Sequence, residues 1–239
     1  MRTSSLILIL LAGILLAGCG KQQTLSFADL TLATAFTADG QALQWDTIRY
    51  QNEAGNVYSV HNLEFYLSDF VFISAEGDRI SHPQIVYCNA RTGAGNTLSF
   101  SALPAGNYKG LECRVGIVPE WNISNSLPAN LENVNMAWPE SMGGGYHYMK
   151  LEGYTQTPGG TQGYAVHLGG PKALVSCSVQ QPFSVDTKGS RYTLQMNLNE
   201  WYRNPQVYNF QTDGNYTMND TSLMKKIAAN GRDVFFLLP

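Results

Sequence analysis

The side chains best able to do chemistry here are imidazoles. Of the four histidines, His147 lies in the run Gly143-Gly-Gly-Tyr-His-Tyr-Met-Lys-Leu-Glu-Gly153 and His167 in Gly163-Tyr-Ala-Val-His-Leu-Gly-Gly170. Glycines beside a strand let another backbone approach closely, so each imidazole can face a crevice. If Tyr146–Leu151 and Gly163–Leu168 are antiparallel neighbours joined by the loop 152–162, the two rings face each other across the ladder. Imidazole nitrogens so placed suit copper. His61, opening its own strand, is a third candidate ligand. Met149 is two residues on from His147 and shares its face on a regular strand, offering a soft thioether. Met136 and Met142 read as packing residues. His82, next to Pro83 in an expected turn, reads as a surface residue. The residues alone leave a second reading open, in which both histidines are packed, hydrogen-bonded members of a hairpin. Neither His-x-x-x-His nor His-x-Glu occurs.

Other chemistries lack their residues. Gly-x-Ser-x-Gly is absent, and Ser141 and Ser190 have no strand-turn-helix context. No Lys-Ser/Thr follows Gly143–Gly145 as a phosphate loop requires. Glu64, Asp69 and Glu152 read as solvated or ion-paired carboxylates. No catalytic residue is assigned and the chain reads as non-enzymatic. A formal net charge of −3 gives no basic patch, so nucleic acid is not an expected partner.

The amino terminus carries a different signal. Arg2 precedes the apolar run Leu6–Leu16, which falls well short of the about 20 residues that span a bilayer. Such a basic start and short apolar run read as an export signal. It closes on Leu16-Ala17-Gly18-Cys19, which resembles the lipobox of bacterial lipoproteins. Residues 1–18 are therefore expected to be removed, Cys19 lipidated and residues 19–23 left as a tether. Gly20 rather than Asp favours the outer membrane, by analogy with other lipoproteins. Three cysteines remain for an oxidising compartment. Cys113 and Cys177 sit in strand-like segments and are the pair chosen for a disulfide, with Cys88 left over; spacing does not fix this connectivity.

The elements that must position these groups are strands. Only 14% of residues are charged, against 13 Tyr and 23 Gly, a balance that favours β structure. Strands are expected at 24–35 and 43–50, at 57–74 with an interruption near Ser68-Asp69, at 85–87, and at 98–103 and 108–118. They resume at 146–151, 163–168, 174–179, 182–185 and 192–198. Turns at Thr37–Gly40, Asn52–Asn56, Ala75–Asp78 and Pro104–Asn107 separate the early ones. Pro119–Gly145 is a long irregular middle loop carrying Trp121, Met136, Trp138 and Met142, and loops of such length are often functional. Leu198–Asn204 could be a short helix before Pro205, and Ser222–Asn230, capped by Asp220 or Thr221, is a C-terminal helix. One antiparallel β-sandwich domain over residues 24–239 is the expected architecture.

Several runs resemble the MbnP-like copper-binding family: Trp138-Pro-Glu-Ser-Met-Gly-Gly-Gly-Tyr-His-Tyr-Met-Lys-Leu-Glu-Gly153, His61-Asn-Leu-Glu-Phe-Tyr-Leu-Ser-Asp69, Leu103-Pro-Ala-Gly-Asn-Tyr-Lys-Gly110 with Val115-Gly116, and Val166-His-Leu-Gly169. The stretch Met224–Phe236 is similar to the family's closing helix and strand. The resemblance implies an envelope β-sandwich whose gene neighbours one for a MauG-like di-haem cytochrome peroxidase. It also implies one copper ion held by histidines beside a tryptophan that such a partner oxidises to kynurenine. Carried onto this chain, the ligands are His147 and His167, then His61, with Trp138 the tryptophan; Trp121 and Trp201 are packing residues. The expected function is copper storage, acquisition or delivery. Its rivals are a ligand-binding lipoprotein that uses the aromatic loop, and a tryptophan-modified substrate of the peroxidase without physiological copper.

Overall fold

Turns rich in Gly, Asn and Asp cut the chain into extended segments that assemble into two sheets. The computed structural model describes residues 25–239; the expected signal segment, Cys19 and the tether lie outside the described residues. In chain order, β1 (Phe27–Ala38), β2 (Gln41–Ala42), β3 (Tyr50–Gln51) and β4 (Val57–Tyr58) come first. Then follow β5 (Asn62–Ser74), β6 (Arg79–Asn89), β7 (Thr97–Pro104) and β8 (Gly106–Val115). Past the middle loop come β9 (His147–Thr157), β10 (Gly160–Gly169), β11 (Val175–Val179), β12 (Phe183–Val185), β13 (Ser190–Asn197) and β14 (Phe235–Leu238).

The smaller sheet has the order β14-β13-β1-β2, with β7 also on β1. In the larger, of order β11-β8-β5-β9-β4-β3, β10 adds to β9, β12 to β8 and β6 to β5. These strands pair antiparallel, apart from β1 and β13, which run parallel. The expected all-β sandwich is therefore what forms, with one parallel pair inside it. Buried and exposed or half-buried residues alternate over Phe27–Leu32 of β1 and Thr97–Phe100 of β7, as in strands with one face on a core. Phe100 of β7 meets Phe70 and Phe72 of β5 edge-on, each at 4.9 Å between ring centres, and so joins the two sheets. All three rings are fully buried, worth about 1.5–3 kcal/mol each.

Several local expectations change. Segment 43–50 is not a strand: only Trp45 bridges, to Val60, before β3 begins at Tyr50. The short strand expected at 85–87 extends to β6, and His82 and Pro83 lie within it instead of in a turn. Proline is tolerated there because β6 is an edge strand with an amide position free of the ladder. His82 packs edge-on against Phe100. The interruption near Ser68 is real: Asp69 has φ 52° and the pairing slips between Ser68 and Phe70. The middle loop is less irregular than expected, since it contains α1 (Leu131–Asn135), capped by the Asn130 side chain, and a turn of 3-10 helix at Glu140–Met142. Helix α2 (Thr221–Asn230) forms where expected, its first amides capped by Asp220.

Candidate metal centre

The site grows from a bulge in the β9–β10 hairpin. His167 stands opposite Lys150 and Leu168 opposite Met149, but Gly169 then stands opposite His147, so Tyr148 has no partner. An extra residue in one strand re-aims the side chains beyond it. Partners across an antiparallel ladder share a face, so the bulge moves His147 to the face of His167. The same slip separates His147 from Met149, which faces the core with Leu168 and Phe65 and is fully buried. The expectation that Met149 would share the histidines' face assumed an unbroken strand, and the bulge overturns it.

Three rings lie in series. Trp138 meets His147 edge-on at 4.7 Å between centres, and His147 meets His167 edge-on at 5.2 Å and 87°. The middle loop delivers Trp138: its amide bonds to the Gly145 carbonyl at 2.9 Å, and Ala137 bridges Tyr146. The indole Nε1–H donates to the Met142 carbonyl at 3.2 Å. Behind the indole is Gly169, where a Cβ would come within 2.4 Å of the ring; only glycine leaves room for it. Beyond Trp138 opens a cavity of about 360 Å³ walled by Met142, Lys172, Thr221 and Met224.

His147 is 6% exposed. Its Nδ1 is 3.2 Å from the Met136 carbonyl, to which its backbone amide also donates at 2.6 Å. A carbonyl can only accept, so Nδ1 carries the proton and Nε2 keeps a lone pair. Burial, then the charge of the Lys150 ammonium, push its pKa down to about 4. The ring is neutral at ordinary pH, as a metal ligand must be. His167 is fixed at both ends. Thr217 Oγ1 accepts from its backbone amide at 2.8 Å and donates to its carbonyl at 2.6 Å. Its Nε2 lies 2.6 Å from Glu152 Oε1, and its Nδ1 is buried with no hydrogen-bond partner. Leaving such an atom unsatisfied costs about 1–3 kcal/mol. The His167 hydrogen bond holds the Glu152 carboxyl below its usual range, against the opposing effect of burial.

The structure does not bring His61 to this pair. Its side chain is 56% exposed and its Nδ1 lies 2.5 Å from Asp46, which Arg91 also grips at 2.7 Å. Successive residues point to opposite sides of a strand, so it is Asn62 that reaches the site, donating to Glu152 Oε2 at 3.3 Å. Asn62 and Thr217 are supporting residues that sequence reasoning missed, while Glu152, read there only as a solvated or ion-paired carboxylate, is the carboxylate partner of His167. Asn62 and Thr217 lie up to 90 residues from their partners, and no motif links them. Cys113 and Cys177 stand directly opposite each other on β8 and β11 as thiols, remote from the histidines in the ladder.

The donor set fits copper. Among the described residues no group of three or more His, Cys, Asp or Glu side chains could hold a metal ion, so a tetrahedral zinc site lacks its ligands. Two imidazoles are enough for a cuprous ion, which accepts low coordination numbers. Metal–imidazole bonds of about 2.0–2.1 Å put two ring centres no more than about 6.5 Å apart across one ion, and 5.2 Å falls inside that limit. The Nδ1 of His167, buried without a hydrogen-bond partner, is the ring atom left free to meet such an ion.

A β-sandwich with a buried histidine pair against a tryptophan defines the class. The chain belongs to the MbnP family, whose model matches residues 27–222. The fold is similar to that of MbnP from Methylosinus trichosporium, with a TM-score of 0.51 and 18% identity over 75% of this chain and 78% of that one. At that identity the likeness is one of fold. No curated protein matches the sequence.

Proposed function

We propose that this chain is a non-enzymatic copper-binding lipoprotein of the cell envelope, anchored through Cys19 and holding one copper ion between His147 and His167. The observation that carries the reading is the buried pair of imidazoles, 5.2 Å apart, with an unpartnered Nδ1 on His167. Membership of the MbnP family supports it. His147 and His167 supply the nitrogens, Trp138 and Gly169 close the side of the site, and the role is storage, acquisition or delivery of the ion. The test is copper stoichiometry on soluble protein beginning at residue 20, beside a His147→Ala/His167→Ala double variant. About one copper per chain, lost in a folded double variant, supports the reading. Equal copper in both proteins, or none in either, overturns it.

A second reading concerns Trp138. Its contact with His147 at 4.7 Å favours it as the tryptophan that a MauG-like di-haem peroxidase partner oxidises to kynurenine. Peptide mass spectrometry after co-expression with such a partner tests this. An unmodified Trp138 beside an active partner sinks it.

A further inference from the structure

We propose that Glu152 is a positioning residue that fixes the ring protons of the histidine pair, so that the ion bonds to Nδ1 of His167 and Nε2 of His147. The inference rests on the copper reading and adds to it which atoms bind and what holds them.

Donors and acceptors must match at each ring. An ionised carboxylate only accepts, and Glu152 already accepts from Asn62 at its other oxygen. The 2.6 Å contact therefore requires a proton on His167 Nε2. A neutral imidazole has one proton, so Nδ1 is left with a lone pair, buried and facing no protein donor. For His147 the partner is the Met136 carbonyl, which accepts a hydrogen bond from Nδ1–H and so leaves the lone pair on Nε2. Two chemically different acceptors thus set opposite tautomers on neighbouring rings. A backbone carbonyl does it for one, and a side chain that can be exchanged does it for the other.

Glu152 is itself held. Asn62 donates to its second oxygen at 3.3 Å, fixing the carboxylate plane from the neighbouring strand β5. Lys150, the residue opposite His167 in the ladder, does not take the carboxylate; its ammonium is bound by the Asn135 carbonyl of the middle loop. A carboxylate on the far nitrogen of a ligating imidazole orients the ring and makes it more basic, and its loss weakens metal affinity by about 10–100-fold. The rival explanation is a plain ion pair with a doubly protonated His167. It would bury a second N–H without an acceptor, and it would leave no lone pair for a metal.

The experiment has one arm without metal. Long-range ¹H–¹⁵N spectra of the histidine rings in metal-free protein at neutral pH report which nitrogen of each is protonated. We expect Nε2–H on His167 and Nδ1–H on His147. Titration with Cu(I) should then move the ¹⁵N resonances of His167 Nδ1 and His147 Nε2. In Glu152→Ala the His167 tautomers should mix and Cu(I) affinity, measured against a competing chelator, should fall by about 10–100-fold. Glu152→Gln keeps an acceptor oxygen, so it should restore the tautomer and part of the affinity, and it serves if the alanine variant does not fold. A doubly protonated or Nδ1–H His167 in the metal-free wild type overturns the proposal whatever copper does. Unchanged tautomer and affinity in both variants, with one copper still bound, overturns it and leaves the copper reading standing. Copper binding that survives the double histidine variant overturns the copper reading instead, and with it the assignment of the binding atoms.

Discussion

Gly169 stands opposite His147 in the β9–β10 ladder, and that single register step creates the site. Without the unpaired Tyr148, His147 would turn toward the core beside Met149 and leave His167 alone on the outer face. The glycine has a second duty, since the Trp138 indole fills the space its side chain would take.

Gly169→Ala isolates that second duty. The backbone at Gly169 is not in the left-handed region, so the cost is steric: the added carbon would meet Trp138 Cε3 at 2.4 Å, Cδ2 at 2.6 Å and Cζ3 at 2.7 Å. A rigid indole, held at Nε1 by Met142, cannot yield cheaply. We expect a loss of about 1–3 kcal/mol, as for other overpacked sites, and a shift in tryptophan emission as the indole leaves its place. Urea unfolding and fluorescence spectra measure both. An unchanged midpoint with an unchanged spectrum would contradict the packing described.

Thr217→Val tests the strut behind His167. The hydroxyl both accepts the His167 amide and donates to its carbonyl, and Thr217 is fully buried. Valine keeps the volume and orphans two backbone groups, so stability should fall by about 1–3 kcal/mol with the fold intact by circular dichroism. A variant as stable as the parent would mean the 215–217 segment is not fastened to β10 in this way.

How much of this was legible in the sequence depends on the range over which each signal acts. Turns announce themselves locally: Asn52–Asn56 does join β3 to β4, with Gly55 at φ 79°, and Asp220 does cap α2. The histidine pair and its hairpin were legible too, because glycines flank both strands. The bulge was not, since alternation in Tyr-His-Tyr-Met carries no mark of an unpaired residue. His61 was misplaced for a related reason: its strand starts one residue later, and the side facing Glu152 belongs to Asn62. Thr217 supports His167 from 50 residues away, a contact only the folded chain creates. The failed strand at 43–50 has apolar residues of the right kind, but Asp46 takes φ 62° and turns to His61 and Arg91.

That same Asp46 gives a pH prediction. Hydrogen bonds from Arg91, then from His61, hold its pKa at about 2, against an ordinary 3.8. A carboxyl whose pKa is lowered by folding adds stability above its unfolded value and loses it as pH falls. The window here runs from 3.8 down to about 2. The cluster is exposed, so the contribution is small and weakens with salt. Carboxyl ¹³C titration should place the Asp46 midpoint near 2 in the wild type and return it toward 3.8 in Arg91→Ala. A wild-type midpoint at 3.8 would sink the ion cluster.

The cysteines give the last prediction, and it separates reactivity from position. Burial, and then the neighbouring Cys113, push the Cys88 thiol up to about 12, and burial raises Cys177 well above the ordinary range. The thiolate is the species that reacts, so iodoacetamide at pH 8 should leave Cys88 and Cys177 unlabelled in the folded protein and label both after unfolding. Position points the other way for one pair. Cys113 and Cys177 are directly opposite on antiparallel strands, where side chains lie about 4.5–5.5 Å apart at Cβ, close to the separation a disulfide spans. Oxidation should therefore join these two, because a short side-chain movement suffices once the thiols are reached, and leave Cys88 single. Peptide mapping of protein oxidised while folded decides it. A bridge to Cys88, or no bridge under conditions that oxidise the unfolded chain, would show that the β8–β11 register does not govern which thiols meet.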